Sequence, residues 1–375
     1  MTEVLFIVSF SFYFARALFF VIGSKKGRIK FKEIIINNYP FVSIIVPARN
    51  EEHNIIMCLE SIVDSDYPRS KYEIIVVNDR SDDSTLELAE KFAQSHSNIR
   101  VLNISDDSQK VVAGKPGALD FGIKNSKGDY ILLTDADCKV NRKWISSIVK
   151  TFIEKDSDLV AAFTLVKHNN FFDKFQAIEW ILMHTMASGG MGLNFPLGCF
   201  GNNMAFKKSV YTQLGGYGGI EFSVTEDLAL LQSVHKNGGK INYVCHRDST
   251  VKTLPLDKFS DYLKQRKRWA IGGKKLGWKA TLFVLASLLI WISAIVSLIE
   301  GHYYLSVIIM LLKIITDAIL VLPTIFTVKE KGLLPYLLPS NFLFIIVELI
   351  LPFLIINKKV EWKGQVFKWL FTFDN

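Results

Sequence analysis

The sequence predicts an α/β domain with a mainly parallel sheet, carried between one N-terminal and about three C-terminal transmembrane helices. Three observations predict it. Short β-rich runs alternate with helical patterns across residues 40–255, and such alternation implies parallel strands joined by crossover helices. Four apolar runs, near residues 4–22, 280–299, 303–325 and 333–357, are each long enough to span a bilayer. Half of the 375 residues are hydrophobic and 21% are charged, which leaves material for a water-exposed domain beside membrane segments.

Taken in order, residues 1–24 read as the first transmembrane helix. A signal peptide would put bases before its apolar run and a small-residue cleavage site after it. Here Lys25, Lys26, Arg28, Lys30 and Lys32 follow instead. The positive-inside rule then sets the first tail outside and the chain from Lys25 onward in the cytosol. Arg16 is an anomaly within the run, expected to snorkel or to pair with another helix.

Residues 40–255 form the expected soluble domain. Strands are expected at 41–46, 72–77, 99–102 and 130–134, with helices at 52–64, 83–95 and 116–125. Asp82 or Asp83 is a candidate cap for the second helix. In such sheets ligands sit at the carboxyl ends of the strands. Three polar clusters fall there: residues 47–52 with Pro47, Arg49 and Glu51, residues 78–85 with Asp79, and residues 135–137. Residues 256–279 read as an interfacial amphipathic stretch, 280–357 as the C-terminal transmembrane region and 358–375 as a tail. In the joint between the second and third C-terminal runs, Lys329 and Lys331 suit a cytosolic loop. Parity then puts the tail outside, although it carries Lys358, Lys359, Lys363 and Lys368. Pro335, Pro339 and Pro352 offer a resolution: part of 333–357 is re-entrant or interfacial, and the tail leans to the cytosol. Within 303–325, Lys313 and Asp317 stand four residues apart and can neutralise each other on one helix face.

The net charge of +8 sits in two short patches beside apolar runs, the one after residue 24 and the one at 258–279. That suits an anionic membrane surface. No zinc-finger, RNP or helix-turn-helix signature accompanies it, so nucleic acid is set aside. The cysteines, Cys58, Cys138, Cys199 and Cys245, include no CxxC pair; the reading is reduced thiols in the cytosol. The histidines have no HExxH spacing and the serines no GxSxG elbow, which leaves zinc-enzyme and serine-hydrolase readings unsupported.

Several motifs carry chemistry. Asp135-Ala136-Asp137 puts two carboxylates just past a strand end, where they can reach one hard cation and a bound diphosphate; Mg2+ or Mn2+ favours such ligands. DxD alone is also a common solvated turn. Asp79, close to its strand, can accept from a ribose hydroxyl or a base N–H. Gly114-Lys115-Pro116-Gly117 opens a helix, and Lys115 beside helix-start N–H groups favours an anion. Thr225-Glu226-Asp227 opens another helix. Its bland reading is an N-cap with dipole-matching acids; its functional reading is a general base for an acceptor hydroxyl. Gln265-Arg266-Lys267-Arg268-Trp269 is a basic amphipathic stretch, bland as an interfacial anchor. Functionally, Arg268 neutralises a diphosphate and Trp269 stacks on an acceptor or sugar. Asn202 and Asn203 have amides that could line an acceptor site.

In this order the motifs resemble the family 2 inverting glycosyltransferases of GT-A fold, specifically their membrane-embedded branch, over roughly residues 40–275. The resemblance implies a nucleotide-diphosphate sugar donor and a divalent cation, Mg2+ or Mn2+. It implies that Asp79 contacts the nucleoside, that Asp135 and Asp137 serve diphosphate and metal, and that Asp227, with Glu226 beside it, is the base. Gln265, Arg268 and Trp269 then close the donor–acceptor site. One departure is Asn78-Asp79, where the family often has two acids; this bears on base identity, for which UDP is the first expectation.

QxxRW occurs both in polysaccharide synthases and in glycolipid enzymes resembling ceramide glucosyltransferases. About four apolar segments are few for a polymer channel, whereas a lipid acceptor needs only lateral access at the interface. The tail at residues 362–367 also resembles the Trp-basic-Gly segment of lipid glycosyltransferases, with Gln365 where a base is more usual. The expectation is a membrane lipid acceptor; the rivals are a processive polysaccharide synthase and a non-catalytic membrane protein. A nucleotidyltransferase would carry a Gly-rich loop with Arg after the first strand, where residues 47–51 have no glycine.

Overall fold

The structure is a computed structural model that describes residues 2–28, 36 and 38–356, and the backbone of 359–362 and 365–368. Helix α1 (Thr2–Lys26) leads to the first strands, β1 (Val42–Ala48) and β2 (Tyr72–Asp79), joined through α2 (Ile55–Val63). Helix α3 (Thr85–Gln94) crosses to β3 (Ile99–Ile104), and α4 (Lys115–Lys124) to β4 (Tyr130–Leu133). Then follow β5 (Lys139–Val140), α5 (Trp144–Lys155), β6 (Leu159–Ala162), β7 (Thr164–Val166) and the long α6 (Phe171–Gly192). Strand β8 (Met204–Lys207) and short α7 (Lys208–Gln213) and α8 (Gly216–Gly219) precede α9 (Glu226–Lys236), β9 (Ile241–Val244) and β10 (Val251–Thr253).

The seven-stranded sheet has the order β3-β2-β1-β4-β8-β6-β9, with β3, β2, β1 and β4 parallel and β8 antiparallel to both neighbours. A second sheet pairs β5, β10 and β7. Strand β2 is buried along its whole length, because helices cover both faces. Along β1, Ile45 faces one core while Val42, Ile44 and Val46 face the other, the period-2 alternation of a strand. Helices α2, α3 and α5 pack the second of these cores, and α4, α6 and α9 the first. The order reverses at β1, between β2 and β4, so the carboxyl ends of β1 and β4 flank the crevice where such sheets bind ligands.

The expected strands and helices are all present. Strand β1 runs two residues beyond its expected end and takes in Pro47 and Ala48. The cap of α3 is Ser84 by position, although Asp83 Oδ1 accepts from the Thr85 N–H (3.0 Å). Thr225 is the N-cap of α9 by position only; its hydroxyl pairs with Ser223 (3.1 Å).

Among the described residues, four helices are long and apolar enough to cross a membrane: α1, α11 (Trp278–Ile299), α12 (Tyr303–Val328) and the stretch Lys331–Leu354 that ends in α13 (Leu337–Leu354). The amphipathic α10 (Phe259–Gly273) precedes them. The Thr2 hydroxyl bonds the Glu300 carboxylate, so the start of α1 and the α11–α12 joint share one end of the bundle. At the other end α1 crosses α6 backbone to backbone. A Cβ on Gly23 would lie 1.9 Å from the Gly189 carbonyl oxygen, and one on Gly192 1.9 Å from that of Gly23. Only glycines permit that approach.

Lys313 and Asp317 do pair (2.9 Å), and the Tyr13 hydroxyl donates to Asp317 (2.6 Å). Glu348 lies 3.9 Å from Lys313 and accepts from the Trp291 indole N–H (2.6 Å). Arg16 donates to the Ser287 hydroxyl (3.0 Å) and stacks over the Tyr13 ring.

Both ends of the α13 segment meet the rest of the chain. Before it, Tyr336 accepts from Lys174 (3.0 Å); after it, Ile355 packs on Val224 and Ile271. A hairpin of β11 (Lys359–Trp362) and β12 (Gln365–Lys368) follows. Lys30, Lys32, Lys358, Lys363 and Gly364 lie outside the described residues, as do the side chains of the tail motif.

Candidate active site

The crevice between the ends of β1 and β4 gathers the expected residues around one lysine. Lys115, in the first turn of α4, reaches Asp135 Oδ1 at 2.6 Å and Glu226 Oε1 at 3.4 Å. It thereby joins the loop after β4 to the start of α9. Burial alone would lower the Lys115 pKa, but the Asp135 and Glu226 carboxylates outweigh it and hold the ammonium charged. Asp137 is pushed up to about 6 by burial and by the Asp135 and Glu51 carboxylates. Glu51 therefore belongs to the same cluster. Its backbone N–H is fixed by the Thr85 hydroxyl (2.7 Å) and its carboxylate accepts from Asn54 (2.9 Å).

Asp227 sits across from this cluster. Its Oδ2 accepts the Gly201 N–H and its Oδ1 the Leu228 N–H, both at 2.8 Å. Burial, then the Glu226 carboxylate, pushes it up to about 6, against the pull of Leu228 N–H, Lys115 and Gly201 N–H. A carboxylate held near 6 with a fixed orientation suits a general base. Glu226 is 7% exposed and faces Lys115, so it sets charge around Asp227.

The QxxRW helix α10 lies against this loop. A Cβ on Gly272 would meet the Thr225 hydroxyl at 2.3 Å, so glycine lets α10 seat directly on the residue before Glu226. Arg268 donates to the Val224 carbonyl (3.3 Å). Trp269 meets Trp180 and Phe200 edge-on, at 5.5 and 5.6 Å between ring centres. Gln265 accepts from Arg266 (2.6 Å). Gln265, Arg268 and Trp269 are half-buried at the rim.

Three expected residues stand differently. Asp79 is 4% exposed and its carboxylate is held by Arg80 (2.9 Å) and Lys110 (3.1 Å); a nucleoside would meet it as part of that ion network. Asn203 is 1% exposed, accepts from the Trp144 indole and donates to the Phe163 and Ser249 carbonyls. Both of its amide N–H groups brace the loop, and burial keeps its oxygen from an acceptor. Asn202 is buried against the Thr164 hydroxyl (2.9 Å). Pro47 and Arg49 are half-buried at the end of β1.

The Gly201 N–H at Asp227, and Glu179 beneath α10, were not legible in sequence. Both act through contacts between residues far apart in the chain. The oxygens of Asp135 and Asp137 fit a hard divalent cation by type and by their excess negative charge. Among the described residues no group of three or more His, Cys, Asp or Glu could hold a metal, so further ligands would come from donor or water.

The profile of glycosyl transferase family 2 matches residues 43–227. That segment is a family 2 glycosyltransferase domain, with the mostly parallel α/β sheet of the GT-A type. The chain is 30% identical over 253 residues to the probable glycosyltransferase YdaM of Bacillus subtilis, covering 66% of this chain and 58% of that one. It is 27% identical over 250 residues to the β-monoglucosyldiacylglycerol synthase of Nostoc sp., covering 65% of this chain and 51% of the relative. The chain thus spans between half and three-fifths of these relatives. Among solved structures, a mannosyltransferase from Pyrobaculum calidifontis, in complex with GDP-Man and Mn2+, superposes with a TM-score of 0.60. It has 19% identity and covers 91% of this chain and 99% of that one, a likeness of fold.

Proposed function

We propose that this protein is a membrane-embedded inverting glycosyltransferase that moves a sugar from a nucleotide-diphosphate donor, a UDP-sugar first among them, to a hydroxyl of a membrane lipid. The observation that carries the reading is the Lys115 bridge, which ties the Asp135 carboxylate to Glu226 beside Asp227. It brings the diphosphate end and the base end of a displacement into one site. The catalytic domain faces the cytosol and the four apolar helices lie in the bilayer. The lipid acceptor is supported by the glucosyldiacylglycerol named for one relative and by the position of α10 between the site and the apolar helices.

In the reaction the acceptor oxygen attacks the anomeric carbon as the bond to the diphosphate oxygen breaks, and that oxygen keeps the electron pair. Asp227 takes the hydroxyl proton, its carboxylate aimed by the Gly201 and Leu228 N–H groups. Lys115 and Arg268 offset the charge that grows on the departing diphosphate. Asp135 and Asp137 would hold Mg2+ or Mn2+, whose chemistry when bound is further electrophilic stabilisation of that leaving group. Trp269 offers a ring face to the acceptor or sugar.

The test is label transfer from radiolabelled UDP- and GDP-sugars in membranes expressing the protein, with organic solvent and precipitable polymer counted separately. Label in the organic phase, lost in Asp227→Asn while donor binding persists, is the expected result. Label in polymer would instead make the protein a polysaccharide synthase. Full activity in Asp227→Asn would remove Asp227 as the base.

A further inference from the structure

We infer that Glu179 is a positioning residue for the acceptor side of the site, acting through Arg266 on the ring of Trp269. The inference rests on the reading that Trp269 walls the acceptor. Glu179, on α6, is 8% exposed and Arg266, on α10, 4%. Arg266 Nε donates to Glu179 Oε1 (2.7 Å) while its Nη2 donates to Oε2, a two-pronged pair. The Tyr262 hydroxyl donates to the same Oε1 (2.9 Å). This fixes the guanidinium plane, and that plane lies over the Trp269 ring at 4.2 Å and the Tyr262 ring at 4.3 Å. One side of the indole is therefore set by a charge that Glu179 orients.

The other contacts of that indole also come from α6 and its neighbours. Trp180, next to Glu179, meets Trp269 edge-on and stacks on Phe200 at 4.9 Å. His184, one turn on, lies 4.2 Å from Phe200. Phe200 precedes Gly201, whose N–H aims the base. One helix thus supports both the acceptor wall and the loop that orients Asp227.

A buried ion pair is a poor source of stability, and replacing both members by neutral groups is often tolerated. A planar, two-pronged guanidinium does supply orientation, and cation–π contact favours one placement of the ring. If the pair served only to tie α6 to α10, a folded neutral pair would leave Trp269 and the chemistry alone.

The experiment uses the full chain in detergent micelles, with Glu179→Gln, Arg266→Met, the double variant and Trp269→Ala. The Trp269 fluorescence is isolated by subtracting the matching Trp269→Phe protein, and its quenching by acrylamide is measured. Donor and acceptor KM are measured with the substrates returned by the label-transfer panel. The double variant is expected to melt near the wild type. Its Trp269 quenching should rise about twofold and its acceptor KM about tenfold, the size of losing one cation–π contact. Donor KM should stay within about twofold. Unchanged quenching and unchanged acceptor KM in a folded double variant would overturn the inference. So would a uniform fall in all parameters that tracks the melting temperature. An acceptor KM untouched by Trp269→Ala would overturn the Trp269 reading itself, whatever the double variant does to the quenching.

Discussion

Asp227 is aimed by one group beside it in sequence, the Leu228 N–H, and by one far from it, the Gly201 N–H. The Thr225-Glu226-Asp227 motif was legible because acids opening a helix after a turn are a local pattern. The Gly201 N–H that aims Asp227 comes from 26 residues upstream and could be seen only in three dimensions. The same applies to Asn203, whose amide looked available in sequence and is consumed by Trp144, Phe163 and Ser249. The chemistry of Asp227 yields a pH prediction. As the proposed base it must be ionised, and burial with Glu226 holds its pKa up to about 6. The rate under kcat/KM conditions should therefore fall as pH drops through about 6. Lys115 lowers the Asp227 pKa, so Lys115→Gln should move that acid limb to higher pH. It should also cut the rate on the order of 100-fold by removing a charge from the leaving-group side. A pH–rate profile of the two proteins checks both, and an acid limb that stays put would separate Lys115 from the base.

The first four strands and the helices between them were legible because the strands are short β-rich runs bounded by polar clusters and the helices between them carry a helical pattern. Helix α6 was not. It is buried on nearly every side, between the sheet, α1 and α12, so its sequence has no one-sided apolar stripe to mark it. Yet it supplies Glu179, Trp180 and His184, and burial keeps His184 neutral by pushing its pKa down to about 3. The α1–α6 crossing gives a prediction at this scale. Gly23→Ala puts a Cβ against the Gly189 carbonyl with no side chain able to yield. The expected cost is about 1–3 kcal/mol of stability, read as a lower melting temperature in detergent. Gly273→Ala, where a Cβ meets nothing within 4 Å, should leave the melting temperature near that of the wild type. Equal melting of the two variants would mean that α1 and α6 do not meet through these glycines.

In the whole molecule, the core under the sheet runs without a break into the apolar helices: Val321, Ile325, Val328, Leu333, Phe344 and Val347 belong to the same cluster as Ile45 and Val77. The charges within the helices close on each other, with Tyr13, Trp291, Lys313, Asp317 and Glu348 drawing on α1, α11, α12 and α13. Side chains of opposite charge in an apolar medium favour such mutual pairing. The conflict between helix parity and the basic tail turns on the path of α13. Tyr336 and Ile355, on either side of α13, touch Lys174 of α6 and the pair Val224 and Ile271, and from this we propose that α13 returns the chain to the side it left. In sequence this was a choice offered by prolines; contacts with α6, Val224 and Ile271 support it. Single cysteines at Ser105 in the catalytic domain, at Ile356 after α13 and at Tyr304 by the far joint test the arrangement. The native cysteines are buried or half-buried and add little background to labelling. In sealed vesicles, a membrane-impermeant maleimide should label Ser105→Cys and Ile356→Cys from one side and Tyr304→Cys from the other. Labelling of Ile356→Cys together with Tyr304→Cys would instead make α13 a full crossing and move the tail away from the active site.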